Sequence, residues 1–124
     1  MTINVATGVA RILKQEGIKW VSTFPVCHVN NALGQEGVPM VMMRDDRYAV
    51  ALADAYSRIN AGNPIGVCTF QGGVNAAGLQ VAYAGMAPAF EDGSPVLCIT
   101  DGVPIGATEN SQFDVTASLK SVSK

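Results

Sequence analysis

Four short apolar segments alternate along this chain with four stretches of helical character, and that alternation narrows the accessible folds more than any other feature. Ile18–Phe24, Gly37–Met43, Ile65–Phe70 and Pro95–Thr100 are rich in Val, Ile, Met, Phe and Thr, and each ends in a proline, a glycine pair or a charged cluster, as strands that enter loops do. Gly37–Met43 is nearly all apolar, which predicts a strand covered on both faces. Between the strands, Val5, Val9, Ile12 and Leu13 recur at helical spacing between Thr2 or Thr7 and Gly17. A short helix is expected over Val29–Gln35, and the clearest one runs from Asp46 to Ala61, rich in alanine and stopped by Gly62 and Pro64. A small-residue helix over Val74–Gly85 and a looser stretch over Met86–Ser94 precede the last strand. The order therefore specifies a three-layer α/β domain with a parallel sheet and helices on both faces.

Length and charge bound the function. A chain of 124 residues with 48% hydrophobic residues suits one compact domain over 1–124. Eight Lys and Arg against ten Asp and Glu leave no basic surplus for nucleic acid. The apolar runs fall far below the roughly 18 residues that cross a bilayer, and the Met1-Thr-Ile-Asn-Val start carries no basic cluster before an apolar stretch. Neither nucleic acid nor membrane is thus an expected partner, and the cytoplasm is the expected location. Cys27, Cys68 and Cys98 are odd in number and widely spaced, which disfavours a disulfide framework. Cys68 and Cys98, within apolar runs, are expected to pack as small hydrophobes. Cys27 adjoins His28, but neighbours in an extended segment point apart, so a packing role is expected there too.

In an open parallel sheet the ligand crevice lies beyond the C-terminal strand ends. The loops there read Pro25-Val-Cys-His28, Arg44-Asp-Asp-Arg47, Gln71-Gly-Gly73 and Asp101-Gly-Val-Pro104. None is a dinucleotide or phosphate loop of the glycine-rich kinds. Each candidate has a plain structural role beside a functional one. Asp46 can be a helix cap, Gly72 and Gly73 can allow a tight turn and close helix approach, and Asn75 can be an ordinary first-turn residue. His28 can be a surface imidazole, and Arg44 to Arg47 can be a solvated charge cluster.

The motif order resembles the N-terminal, pyrimidine-binding domain of thiamine-diphosphate-dependent enzymes of the acetolactate synthase and 2-oxo acid decarboxylase type. Four segments carry the resemblance: Gly8–Ile18, Phe24-Pro25, Arg44–Arg58 and Pro95–Pro104. The third is the most specific, because the family reads Arg-His-Glu-Gln-x-Ala and then a helix ending Ala-Asp-x-Tyr-Ala-Arg, and Ala53-Asp-Ala-Tyr-Ser-Arg58 reproduces that ending. The resemblance implies the thiamine-diphosphate-binding fold, thiamine diphosphate as cofactor, and Asp46 at the family's glutamate. In the family that carboxylate hydrogen-bonds the cofactor's pyrimidine nitrogen, a role the resemblance implies for Asp46. Pro25, Gly72, Gly73 and Asn75 become cofactor-facing candidates, and His28, Gln71 and Gln112 substrate-facing ones.

The departures fall in the loops. Asp46 is one methylene shorter than glutamate, a reach of about 1.5 Å, and Asp45 beside it is a rival for the role. The family's Gly-Pro-Gly loop is Gln71-Gly-Gly73 here, its Thr-Asn pair is Asn75-Ala76, and its glycine after the loop proline is Val26. The Gly-Asp-Gly motif that holds magnesium and diphosphate on the family's second domain is not found, so no metal site is assigned. The resemblance therefore implies a partner: a diphosphate-binding domain or subunit that carries the Mg2+, in a homo- or hetero-oligomer acting on a small molecule. The end at Ser121–Lys124 falls where the family's first domain passes into its linker. Two readings stand: the pyrimidine-binding half of an enzyme decarboxylating or ligating a 2-oxo acid, inactive alone, or a non-catalytic, regulatory module that has kept the fold.

Overall fold

The computed structural model describes residues 3–72, 77–102 and 115–124. Nine elements follow one another: α1 (Val5–Gln15), β1 (Val21–Thr23), α2 (Val29–Gln35), β2 (Met40–Met42), α3 (Asp46–Ile59), β3 (Gly66–Phe70), α4 (Ala77–Glu91), β4 (Val96–Thr100) and α5 (Val115–Leu119). The strands form one parallel sheet in the order β2-β1-β3-β4. The expected α/β architecture is therefore present.

Right-handed crossovers explain the layering. The chain steps outward from β1 to β2 and then back across β1 to β3, so α2 and α3 must lie on opposite faces. The side chains confirm this in two cores. Val21 and Val67 point toward Leu13, Ala32 and Leu33 of α1 and α2. Cys68 and Phe70 point the other way, toward Ala49, Val50 and Ala53 of α3 and Leu79, Ala82 and Met86 of α4. Strand alternation assigns the residues to faces, and fully burying a Val50 or Leu79 side chain stabilises by about 1.5–3 kcal/mol.

The ends of the helices follow local chemistry. Asn4, not a threonine, caps α1 by accepting from the Thr7 N–H at 2.8 Å. Asp45 caps α3, accepting from the Tyr48 N–H at 2.9 Å. Asp46, for which a capping role was the structural alternative, is instead the first helical residue and is buried.

Two expectations need correction. β2 is exposed along its length, at Met40, Val41 and Met42, because the strand order makes it an edge; an apolar composition signals strand but not which place in the sheet it takes. The stretch over Met86–Ser94 is not loose: α4 continues through Pro88 to Glu91. Proline removes one helical N–H, yet Met86 and Ala89 on either side of it are buried in the α3–α4 core, and the Pro88 carbonyl still accepts from the Asp92 N–H at 3.1 Å. Tertiary packing outweighs the local cost. The polar tail also contains α5, whose Leu119, with Val122 just beyond it, packs on the same core. Among the described residues no helix is long and apolar enough to cross a membrane.

Candidate functional site

The strand order reverses between β1 and β3, and at such a switch point the loops leaving the two strands part to open a crevice. Two clusters line this end of the sheet.

The first is built on Asp46. Its carboxylate opens α3, is 4% exposed, and accepts through Oδ1 from the Gln71 N–H at 2.9 Å. Gln71 directly follows β3, so this bond ties the start of α3 to the turn after the strand. Gly78, in the first turn of α4, closes the cluster: a Cβ there would sit 2.5 Å from the Gln71 carbonyl and 2.6 Å from Asp46 Oδ1. Only glycine lets α4 approach this near. Among the described residues Asp46 makes no ion pair. A carboxylate has about four lone-pair sites, and the Gln71 bond occupies one. Asp45, the rival carboxylate, is committed to the cap and lies 3.8 Å from Arg47 on the exposed side. Arg47 in turn rests over the Tyr48 ring at 4.8 Å.

The second cluster joins β1 to β4. Asp101, after β4, accepts from the His28 N–H at 3.1 Å and meets His28 Nδ1 at 3.0 Å. The imidazole is otherwise exposed. The Cys27 thiol points inward toward Asp101 Oδ1 at 3.7 Å and the Ile99 carbonyl at 4.0 Å. Burial pushes that thiol up from the ordinary 9.0 to about 11, with the Asp101 charge adding to the effect. It is a protonated donor at neutral pH and not a nucleophile, as the packing reading expects. Gly72 links the clusters, since a Cβ there would collide with the Asp101 carbonyl and the Thr100 hydroxyl. Its small size serves contact with the end of β4, while the close helix approach falls to Gly78.

Below the crevice lies a buried polar network. Thr23 Oγ1 accepts from Asn30 Nδ2 at 2.9 Å, and the Thr69 hydroxyl lies 2.6 Å from Thr23 Oγ1 and 2.7 Å from Asn30 Oδ1. This network fixes the start of α2 against the ends of β1 and β3, and hence the loop carrying Pro25 and His28. Val26 in that loop has φ +74°, a left-handed conformation that β-branched residues rarely adopt, at the position where the family pattern has glycine.

Of the sequence candidates, the structure brings Asp46 and Gln71 into contact and sets Gly72 and His28 each against Asp101; Pro25, half-buried, lies in the β1 loop. Gly73, Asn75 and Gln112 lie outside the described residues. Gln71 acts here through its backbone N–H, which no side-chain argument would find. Asp101 and Gly78 were not singled out, because their roles depend on contacts between residues 73 and 32 positions apart.

A parallel sheet with a buried carboxylate at its switch-point end has the form of a ligand-binding α/β domain, and the motif order points to the thiamine-dependent kind. The family described as thiamine pyrophosphate enzyme, N-terminal TPP binding domain, matches residues 3–121, and the chain belongs to that family. It is 29% identical over 111 residues to a probable acetolactate synthase large subunit of Methanocaldococcus jannaschii, covering 87% of this chain and 18% of that protein. An uncharacterised protein of the same organism is 33% identical over 89 residues, covering 69% of this chain and 17% of the relative. The chain thus spans less than a fifth of either relative's length.

Proposed function

We propose that this chain supplies the pyrimidine-binding half of a site that turns over a 2-oxo acid with thiamine diphosphate, by decarboxylation or carboligation, and that Asp46 is the carboxylate facing the pyrimidine ring. The observation that supports this most is the environment of Asp46: a buried acid at the strand ends, anchored by one backbone N–H and otherwise without an ion pair among the described residues. Burial makes an unpaired carboxylate costly, so its retention there fits a polar ligand that would share it. When bound, thiamine diphosphate supplies the carbanion-stabilising chemistry. The chain's own residues position and polarise. Gln71 N–H orients Asp46, Gly78 and Gly72 keep the β3–α4 turn tight against α3 and β4, and the Asp101–His28 contact holds the β1 loop at the mouth. A diphosphate-binding domain or subunit, carrying Mg2+, completes the site in this proposal, with the chain inactive alone.

The Asp46–Gln71 bond also favours a second reading, a non-catalytic module in which Asp46 only fastens a turn. Asp46→Asn separates the two, because the amide oxygen can still accept the Gln71 N–H while the charge is gone. In an assembly reconstituted with a diphosphate-binding partner, the first reading expects Asp46→Asn to keep wild-type melting and lose proton exchange at the thiazolium carbon, and Asp46→Glu to retain it. Unchanged exchange in Asp46→Asn, or absence of calorimetric heat for thiamine diphosphate and magnesium with the wild-type assembly, refutes the assignment.

A further inference from the structure

Cys68 and Cys98 occupy partner positions in the β3–β4 register, and their sulfurs lie 3.4 Å apart. Both are free thiols on the α3–α4 face of the sheet. Adjacent strands are about 4.8 Å apart, which falls within the Cα separation of roughly 4.4–6.8 Å that a disulfide spans. The sulfurs need approach by a little over 1 Å to reach bonding distance, about 2.05 Å, a shift that side-chain rotation and small strand movement can supply. The two thiols differ in access. Cys68 is fully buried between β1 and β4, while Cys98 is partly exposed and lines an apolar cleft of about 450 Å³ between β4 and α4, beside Met86 and Phe90. Cys27, by contrast, is turned to Asp101 and the Ile99 carbonyl on the other core.

We propose that Cys68 and Cys98 form an oxidation site, a thiol pair that hydrogen peroxide converts reversibly into an intramolecular disulfide. Cys98, reached through the cleft, reacts first. Its thiolate attacks the peroxide oxygen, the O–O bond breaks, and Cys98 becomes a sulfenic acid with release of one water once the leaving hydroxide is protonated. Cys68 sulfur then displaces the sulfenic hydroxyl; its proton leaves with that hydroxyl as a second water and the S–S bond forms. Two electrons pass from the thiols to the peroxide. The hydrogen bond to Cys98, together with burial, pushes the Cys68 thiol well up from its ordinary value, which makes it a slow first attacker and leaves it to the resolving step. The bridge would be partly exposed at Cys98, and exposed disulfides are reduced readily by thiols, so the modification reverses.

The test treats the full chain with hydrogen peroxide and maps non-reducing proteolytic peptides by mass spectrometry. The expected result is a Cys68–Cys98 linked peptide, lighter than the sum of its two reduced parts by two hydrogens, that disappears with dithiothreitol. Cys27→Ser, which leaves the pair intact, should link equally, and Cys68→Ser should accumulate a sulfenic acid at Cys98 that dimedone traps. Oxidation of Cys98 to sulfinic acid without the linked peptide, linkage through Cys27, or three unmodified thiols overturns the proposal.

Discussion

Replacing Ser57 by alanine probes how the sheet is fastened to α3. The side chain is fully buried, and its one oxygen accepts from the Gly66 N–H at 2.6 Å while donating to the Pro95 carbonyl at 2.5 Å. It thereby joins the first residue of β3 and the residue before β4 to the core face of the helix. Alanine stands at this position in the family pattern, so the change removes an oxygen without forcing new volume. Each hydrogen bond contributes about 0.5–1.5 kcal/mol net, and a buried donor left unpaired costs about 1–3 kcal/mol. Loss of the hydroxyl's own desolvation offsets part of this. We expect Ser57→Ala to destabilise by about 2–3 kcal/mol, or roughly 8–12 °C in Tm for a domain of this size. Urea titration followed by Trp20 fluorescence is the assay, because the Trp20 ring meets Tyr56, the neighbour of Ser57, edge-on at 4.8 Å. A midpoint shift worth less than about 0.5 kcal/mol with unchanged slope would show that the two backbone groups find other partners, and the argument would fail.

Three further outcomes follow from single residues. Asp45→Ala should cost about 1 kcal/mol through loss of the α3 cap, measured by the same titration, and should leave cofactor chemistry in the reconstituted assembly intact; loss of that chemistry would return Asp45 to the site. Val26→Gly should be more stable than Val26→Ala by about 1 kcal/mol, since only glycine adopts a φ of +74° without strain and Val26 is 68% exposed, so little packing is lost; equal stabilities contradict the strain. Folded Cys27 keeps its proton up to about pH 11 while the unfolded thiol releases it near 9.0. Stability from this group is therefore full below about pH 9 and declines as pH rises toward 11. Urea midpoints across that window should fall more steeply for the wild type than for Cys27→Ser, and parallel curves would remove the linkage.

The local pattern of the sequence carried much of the architecture. Alternating strand and helix signals dictate parallel strands, and parallel strands joined by right-handed crossovers place their loops at one end, where Asp46, Gln71 and His28 were sought. The Val29–Gln35 helix and the stop after Ile59 follow from residues within a turn of each boundary. What local pattern does not contain is which distant segments become neighbours. Strand order made Met40–Met42 an exposed edge, and it set Cys68 opposite Cys98 although each reads only as a small apolar residue. Burial in the α3–α4 core carried α4 across Pro88. The same distinction decides between two adjacent aspartates of equal chemistry: Asp45 meets the N–H three residues on and becomes the cap, whereas Asp46 turns inward to the Gln71 N–H, 25 residues away, and becomes the buried acid. Propensity acts over a few residues, but burial and hydrogen-bond satisfaction are settled only when the whole sheet closes on its helices, and the chemistry of the site depends on the latter.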